Sequence, residues 1–170
     1  MKQRNFQTQL AGQIGESLVV AELGRRGIVA TAFAGNVPDI DLLAYRAGRT
    51  LALQVKSVRT GSISFDAKRF MTIEFEGDRQ IITGDSPVLD ASLIFVVVSI
   101  GPQSGEDRFF ILEQGALQGI IQLNHFEWLA KHGGIRPKNP QSTHTAVSIA
   151  QLHKFRDNWS LIERRLSEAS

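Results

Sequence analysis

The sequence predicts an α/β domain, with α+β as the neighbouring alternative, built on a central mixed β-sheet flanked by helices. Three observations lead there. The chain opens with a stretch at helical spacing. Strand-like segments then follow in succession, two of them joined by a tight turn signal. After residue 113 the pattern returns to helical spacing.

Taken in order, residues 8–26 predict a helix. Leu10, Ile14, Leu18 and Ala21 form one stripe, and Glu16, Val19, Val20 and Leu23 form a second at i, i+3, i+4 and i+7. Apolar on two sides, this helix is expected to be largely buried, with Glu16 the one charge in the second stripe. Gly27 sits where a C-cap belongs. A short strand is expected at 28–33, then a Gly-Asn-Val-Pro turn at 35–38. Strands at about 40–46 and 50–58 are joined by the hairpin signal Ala47-Gly48-Arg49. Residues 62–83 suggest further strands before the break at Gly84-Asp85-Ser86-Pro87. Strands at 93–100 and 108–113 flank the loop from Gly101 to Asp107. A helix at 114–132, with Leu117, Ile121, Phe126 and Leu129 as its apolar set, ends at Gly133-Gly134. The stretch 135–144 reads as an extended loop. A last helical region covers 150–168, with Leu152, Phe155, Trp159, Ile162 and Leu166 as its apolar set. The 170 residues suit one domain, with a motif-bearing core at about 8–113 and a helical part at about 114–170.

Composition narrows the classes. Hydrophobic residues make up 42%, enough for a real core, and cysteine is absent, which removes disulfides and thiolate metal sites. This usage and the polar N-terminus fit a cytoplasmic protein. The longest apolar run, Leu93 to Val98, is too short to span a membrane and reads as a buried strand. A net charge of +2 gives no global signal for nucleic acid, although residues 131–170 hold seven Lys/Arg against three Asp/Glu.

The chemistry concentrates in Pro38-Asp39-Ile40-Asp41-Leu42-Leu43-Ala44 and Leu51-Ala52-Leu53-Gln54-Val55-Lys56-Ser57. Read as adjacent strands, they set Asp39 and Asp41 on one face, and Gln54 and Lys56 on one face about 6.6 Å apart. Ile40, Leu42, Leu51, Leu53 and Val55 take the other face. Carboxylate, amide and ammonium among core strands cost stability unless they hold something charged. A divalent metal and a phosphate would satisfy all three. Phosphodiester cleavage needs a positioned water and stabilisation of developing negative charge, and Mg²⁺ held by carboxylates supplies much of this. Asp41 and a partner acid are the candidate ligands. The Val55 main-chain carbonyl and the Gln54 side-chain oxygen could complete the set, and Lys56 is the candidate for the charge role.

At these residues the chain resembles the PD-(D/E)XK nuclease superfamily over roughly residues 11–58. Glu16 in Gly15-Glu16-Ser17-Leu18-Val19-Val20-Ala21 is similar to the family's first-helix acidic motif. Asp41 in Ile40-Asp41-Leu42-Leu43-Ala44 resembles the family aspartate, and thirteen positions on Gln54-Val55-Lys56 resembles its (D/E)-x-Lys element. The closest flavour is the branch of Mrr-type restriction endonucleases and Holliday-junction-resolvase-like proteins, where Gln-x-Lys also occurs. The resemblance implies a restriction-endonuclease-like core, DNA as substrate and Mg²⁺ as cofactor, with Mn²⁺ as a substitute. The implied metal ligands are Asp41, Glu16, Gln54 and the Val55 carbonyl. Asp41, Gln54 and Lys56 are the implied catalytic set. Asp39, which literally completes the spelling Pro-Asp, is an auxiliary. Ser57 and Arg59 are candidate phosphate contacts. Gln54 stands where most members carry an acid. Cutting both strands of a duplex takes two sites and one chain carries one, so a homodimer or higher homo-oligomer is expected.

Each residue has a plainer reading. Glu16 could pair with Arg25 or Arg26, Asp39 could be a turn residue, and Lys56 could sit in a cross-strand ion pair. Ser57 and Arg59 could begin an exposed loop. With Gln54 in place of an acid, the same fold could be a DNA-binding module with a weakened site; with the cluster an ordinary ion-pair network, it is a structural or partner-interaction domain. The four histidines make no metal pattern and are expected to be structural or on the surface. Phe109-Phe110 is expected in a core strand, and Trp128 and Trp159 in helix packing.

Overall fold

The computed structural model describes residues 2–33, 39–87 and 90–167. The elements in chain order are α1 (Lys2–Arg25), β1 (Val29–Ala32), β2 (Leu42–Arg46), β3 (Arg49–Val58), β4 (Ser62–Asp66), β5 (Met71–Glu76), β6 (Arg79–Asp85), β7 (Ile94–Ser99), β8 (Arg108–Glu113), α2 (Gln114–Lys131), β9 (His144–Ser148) and α3 (Ser160–Arg165). The chain divides into two compact units. One comprises Met1–Gly61, Leu93–Glu113 and Leu152–Ser170; the other comprises Ser62–Ser92 and Gln114–Gln151.

The first unit holds a five-stranded sheet in the order β1-β2-β3-β7-β8. It is mixed: β3 and β7 run parallel, from Leu53↔Ile94 to Val58↔Ser99, and the other pairs are antiparallel. The β2–β3 turn places Ala47 at φ 51° and Gly48 at φ 85°. Two consecutive left-handed residues match the twist of a tight hairpin. Leu42, Ala44, Leu53, Val55, Val96 and Ile111 share a core with Val19 and Leu23 of α1 and Ile162 of α3. On the alternate positions Phe95, Val97, Phe110 and Leu112 are buried as well, so the centre of the sheet is apolar on both faces, as a parallel pair favours.

The opening helix is longer than its periodicity predicts and ends where expected. Ile28 N–H donates to Leu23 O at 3.0 Å and Gly27 N–H to Gly24 O at 3.1 Å, with Gly27 at φ 70°. This is a Schellman closure. Val19 and Leu23 are fully buried, whereas Leu10, Ile14 and Leu18 are half-buried and Ala21 is exposed. The second stripe forms the core face, and Ile14 and Leu18 of the first pack against its edge.

The expected helix at 150–168 is instead a 3₁₀ segment, Ile149–Phe155, followed by the short α3. The break has a cause in β8. Asp157, at φ 51°, donates its N–H to Phe109 O at 2.9 Å, and Asn158 Nδ2 donates to Ile111 O at 3.2 Å. The chain spends these groups on the edge of the sheet and cannot continue a helix there. Trp159 packs on Phe109 at 5.2 Å between ring centroids, and Phe109 and Phe110 are core residues.

The second unit holds two antiparallel pairs, β4–β9 and β5–β6, with α2. Strand β9 alternates buried Thr145 and Val147 with exposed His144 and Ala146. That period of two is too brief to announce a strand, and the sequence alone assigns no element to 145–149. On α2 the buried stripe is Leu117, Ile121, His125 and Leu129. Phe126, expected in the core set, is 63% exposed, and His125 takes its place.

Candidate functional site

The site lies in the first unit, where β2 separates from β3. The two strands pair from Arg46↔Arg49 down to Leu42↔Leu53. Asp41 precedes β2 by one residue and is still tied to β3, its N–H donating to Leu53 O at 2.9 Å. Its carboxylate Oδ2 accepts the Val55 N–H at 2.7 Å. Antiparallel pairing at that position would give Val55 a main-chain acceptor from the neighbouring strand. The Asp41 side chain supplies it instead as the strands part, so Asp41 is held against β3 at Val55 with one oxygen committed to backbone.

Gln54 is 4% exposed, and its Oε1 is buried without a hydrogen-bond partner. An unsatisfied buried amide oxygen calls for an explanation, such as an ion or a water. Lys56, two residues on, shares its face and is half-buried. Among the described residues it makes no ion pair, so the plain cross-strand bridge is not what holds it.

Glu16 arrives from α1. The helix lies against β3 at Gly15: a Cβ there would collide with Ser57 Oγ and stand 2.8 Å from Ser57 Cβ. A mid-helix glycine is costly, and this close approach accounts for it. The crossing also sets the next residue, Glu16, within electrostatic range of Asp41 and Lys56. Its carboxyl is held above the usual carboxylate range, first by partial burial and then by the negative charge of Asp41, with Lys56 opposing. Arg25 and Arg26 do not neutralise Glu16. Both pair with Glu22, and Arg26 also reaches Glu163 at 3.6 Å. A cleft of about 460 Å³ opens on Glu16, lined also by Gln13, Ser17, Val20, Ala32 and Leu42.

The remaining candidates fall elsewhere. Asp39 is an exposed turn residue at φ 68°, a conformation aspartate tolerates. The strand alternation that would align it with Asp41 does not extend to it. The Gly-Asn-Val-Pro turn, with Pro38, lies outside the described residues. Ser57, a candidate phosphate contact, has its hydroxyl buried against Gly15 without a partner, which removes it from that role. Arg59 is exposed. The sequence reading missed Gly15 as the residue that seats Glu16, although a glycine immediately before the one charge of an apolar stripe was its signal.

The donor set matches a hard cation. It offers carboxylate oxygens from Glu16 and Asp41, an unpartnered amide oxygen from Gln54 and the nearby Val55 carbonyl. Among the described residues no cluster of three or more His, Cys, Asp or Glu forms. Mg²⁺ asks for one or two carboxylates and retains several waters, so these residues fit it. A nitrogen- or sulfur-preferring metal finds no ligands here.

No protein-family model matches the chain, and no curated protein matches it. Among solved structures, a bacterial homing endonuclease, I-Ssp6803I, is similar over 94% of this chain and 95% of its own, with a TM-score of 0.54 and 14% identity. The chain thus has an endonuclease-like α/β fold, a central mixed sheet flanked by helices. At that identity the likeness is one of fold. Among the described residues, no helix is long and apolar enough to cross a membrane.

Proposed function

We propose that this protein is a metal-dependent DNA endonuclease of the PD-(D/E)XK type, with its site at Glu16, Asp41, Gln54 and Lys56. The observation that carries the reading is the buried, unpartnered Gln54 Oε1, on the strand whose next residue, Val55, holds Asp41 through its N–H, with Glu16, Asp41 and Lys56 acting on one another electrostatically. The shared fold with a homing endonuclease supports it. Mg²⁺, bound by Asp41 and Glu16 with Gln54 and the Val55 carbonyl, would polarise the phosphate and lower the pKa of a bound water. The chain's own part is positioning. The Val55 N–H fixes the Asp41 carboxylate, the Gly15–Ser57 contact fixes Glu16, and β3 sets Lys56 two residues beyond Gln54. Lys56 is placed to orient the attacking water and to stabilise the charge that grows on the phosphate oxygens. DNA is the proposed partner, and a homodimer is the proposed form for cutting a duplex.

A second reading, a DNA-binding domain that does not cut, is favoured by one feature: Gln54 brings no charge where an acid would. Incubation with linear, supercoiled, single-stranded and branched DNA in Mg²⁺ or Mn²⁺ separates the two. Metal-dependent cutting of any substrate supports the nuclease; tight binding in EDTA with no cutting of any substrate supports the binding domain.

A further inference from the structure

A different feature, in the second unit, concerns Arg136. Its guanidinium lies over the Trp128 ring at 4.4 Å, and Nη2 donates to His144 O at 2.6 Å. Its Nε is buried without a partner, and burial pulls its pKa below the usual range for arginine. Among the described residues it makes no ion pair. The ring that supports it is itself fixed, stacked on His132 at 4.0 Å, with His132 Nδ1 against Trp128 O at 2.8 Å. A half-buried guanidinium held in place by packing and a carbonyl, with no carboxylate partner among the described residues, keeps its charge for an anion.

Arg136 borders a pocket of about 410 Å³ between α2 and β9. Lys131 and His144 add positive or donor character, and the Asn124 and Gln151 amides bond each other across its wall, at 2.7 Å from Gln151 Nε2 to Asn124 Oδ1. Glu127 is the one acid lining it, and it does not pair with Arg136. An anion with several acceptor oxygens would meet Arg136 and Lys131 together, as phosphate does.

We propose that this pocket takes a backbone phosphate of nucleic acid, with Arg136 and Lys131 as its ligands and Trp128 as the residue that positions Arg136. The inference rests on the nuclease reading for the choice of DNA as the phosphate's source. The test is binding of a labelled DNA duplex by the full chain in Ca²⁺ over a series of salt concentrations. Arg136→Gln and Lys131→Gln should each weaken binding alike on unrelated sequences and lower the slope of log K against log salt by about 1. Glu127→Gln should tighten binding. Lys131 is exposed, so its variant keeps the test open if Arg136→Gln unfolds, and Arg136→Lys should recover much of the slope. Unchanged slopes in folded variants, while the wild type binds and cuts DNA, overturn the pocket and leave the nuclease standing. Reduced slopes without cutting support the pocket and remove the nuclease. At equal ionic strength inorganic phosphate should displace DNA from the wild type better than chloride does, and should lose that advantage in Arg136→Gln; an advantage that is the same in both proteins would overturn the pocket as a phosphate site.

Discussion

Gln54→Met should make the metal-free protein more stable and less responsive to metal. The buried Oε1 of Gln54 has no partner, and leaving such a group unsatisfied costs about 1–3 kcal/mol. Methionine has nearly the same length and volume and needs no hydrogen bond, so the packing term should stay below about 1.5 kcal/mol. The net gain is on the order of 1 kcal/mol, which for a chain of this size raises Tm by roughly 2–4 °C. The assay is calorimetric melting in EDTA and again in excess Mg²⁺. The wild type should gain stability from the metal, because binding to the native state alone adds to its free energy of unfolding. The variant should gain less. A variant that melts below the wild type in EDTA would mean that Gln54 serves the fold. An equal magnesium response in both would remove Gln54 from the metal site.

Three further outcomes are expected. Glu16 has its pKa raised in the folded state, so its stabilising contribution is complete below the ordinary carboxylate range and lost as pH rises through the folded value; Glu16→Gln should therefore exceed the wild type in Tm at neutral pH without metal, with the gap closing in acid. Fully buried His125, bonded to Thr145 Oγ1 and Gln80 Oε1 and lowered to about 4 by burial, should cost the protein about 3 kcal/mol as pH falls from about 6.5 toward 4, where the unfolded chain binds the proton and the native one does not; denaturant melts across that window, beside a His125→Gln variant that should lack the dependence, check it. Gly15→Ala should destabilise by about 1–3 kcal/mol through the clash with Ser57, and Ser57→Gly in the same chain should recover part of it, read as a coupling energy in a double-mutant cycle.

The helix, the hairpin and the buried strand Leu93–Val98 were legible because each carried a full local signal: periodicity, paired turn residues or an unbroken apolar run. The group Glu16, Asp41, Gln54 and Lys56 was legible for a related reason, since polar residues at core-strand spacing stand out. What stayed hidden was set by distant partners. The bond from Asp157 N–H to Phe109 O ends a helix that periodicity alone would continue. His125 replaces Phe126 in the core because Thr145 and Gln80 satisfy both its nitrogens, and neither partner is near it in sequence. Asp39 left the strand because its backbone turns left-handed, which no alternation pattern reveals.

The central claim is tested most directly by single-turnover DNA cleavage in Mg²⁺ by the wild type, Asp41→Asn and Lys56→Met, each first shown to melt cooperatively. The Asp41→Asn amide keeps an oxygen for the Val55 N–H while removing the charge. Cutting should stop in EDTA and fall by at least about 10²-fold in each variant. Cutting that survives both substitutions, or that persists without metal, would contradict the claim.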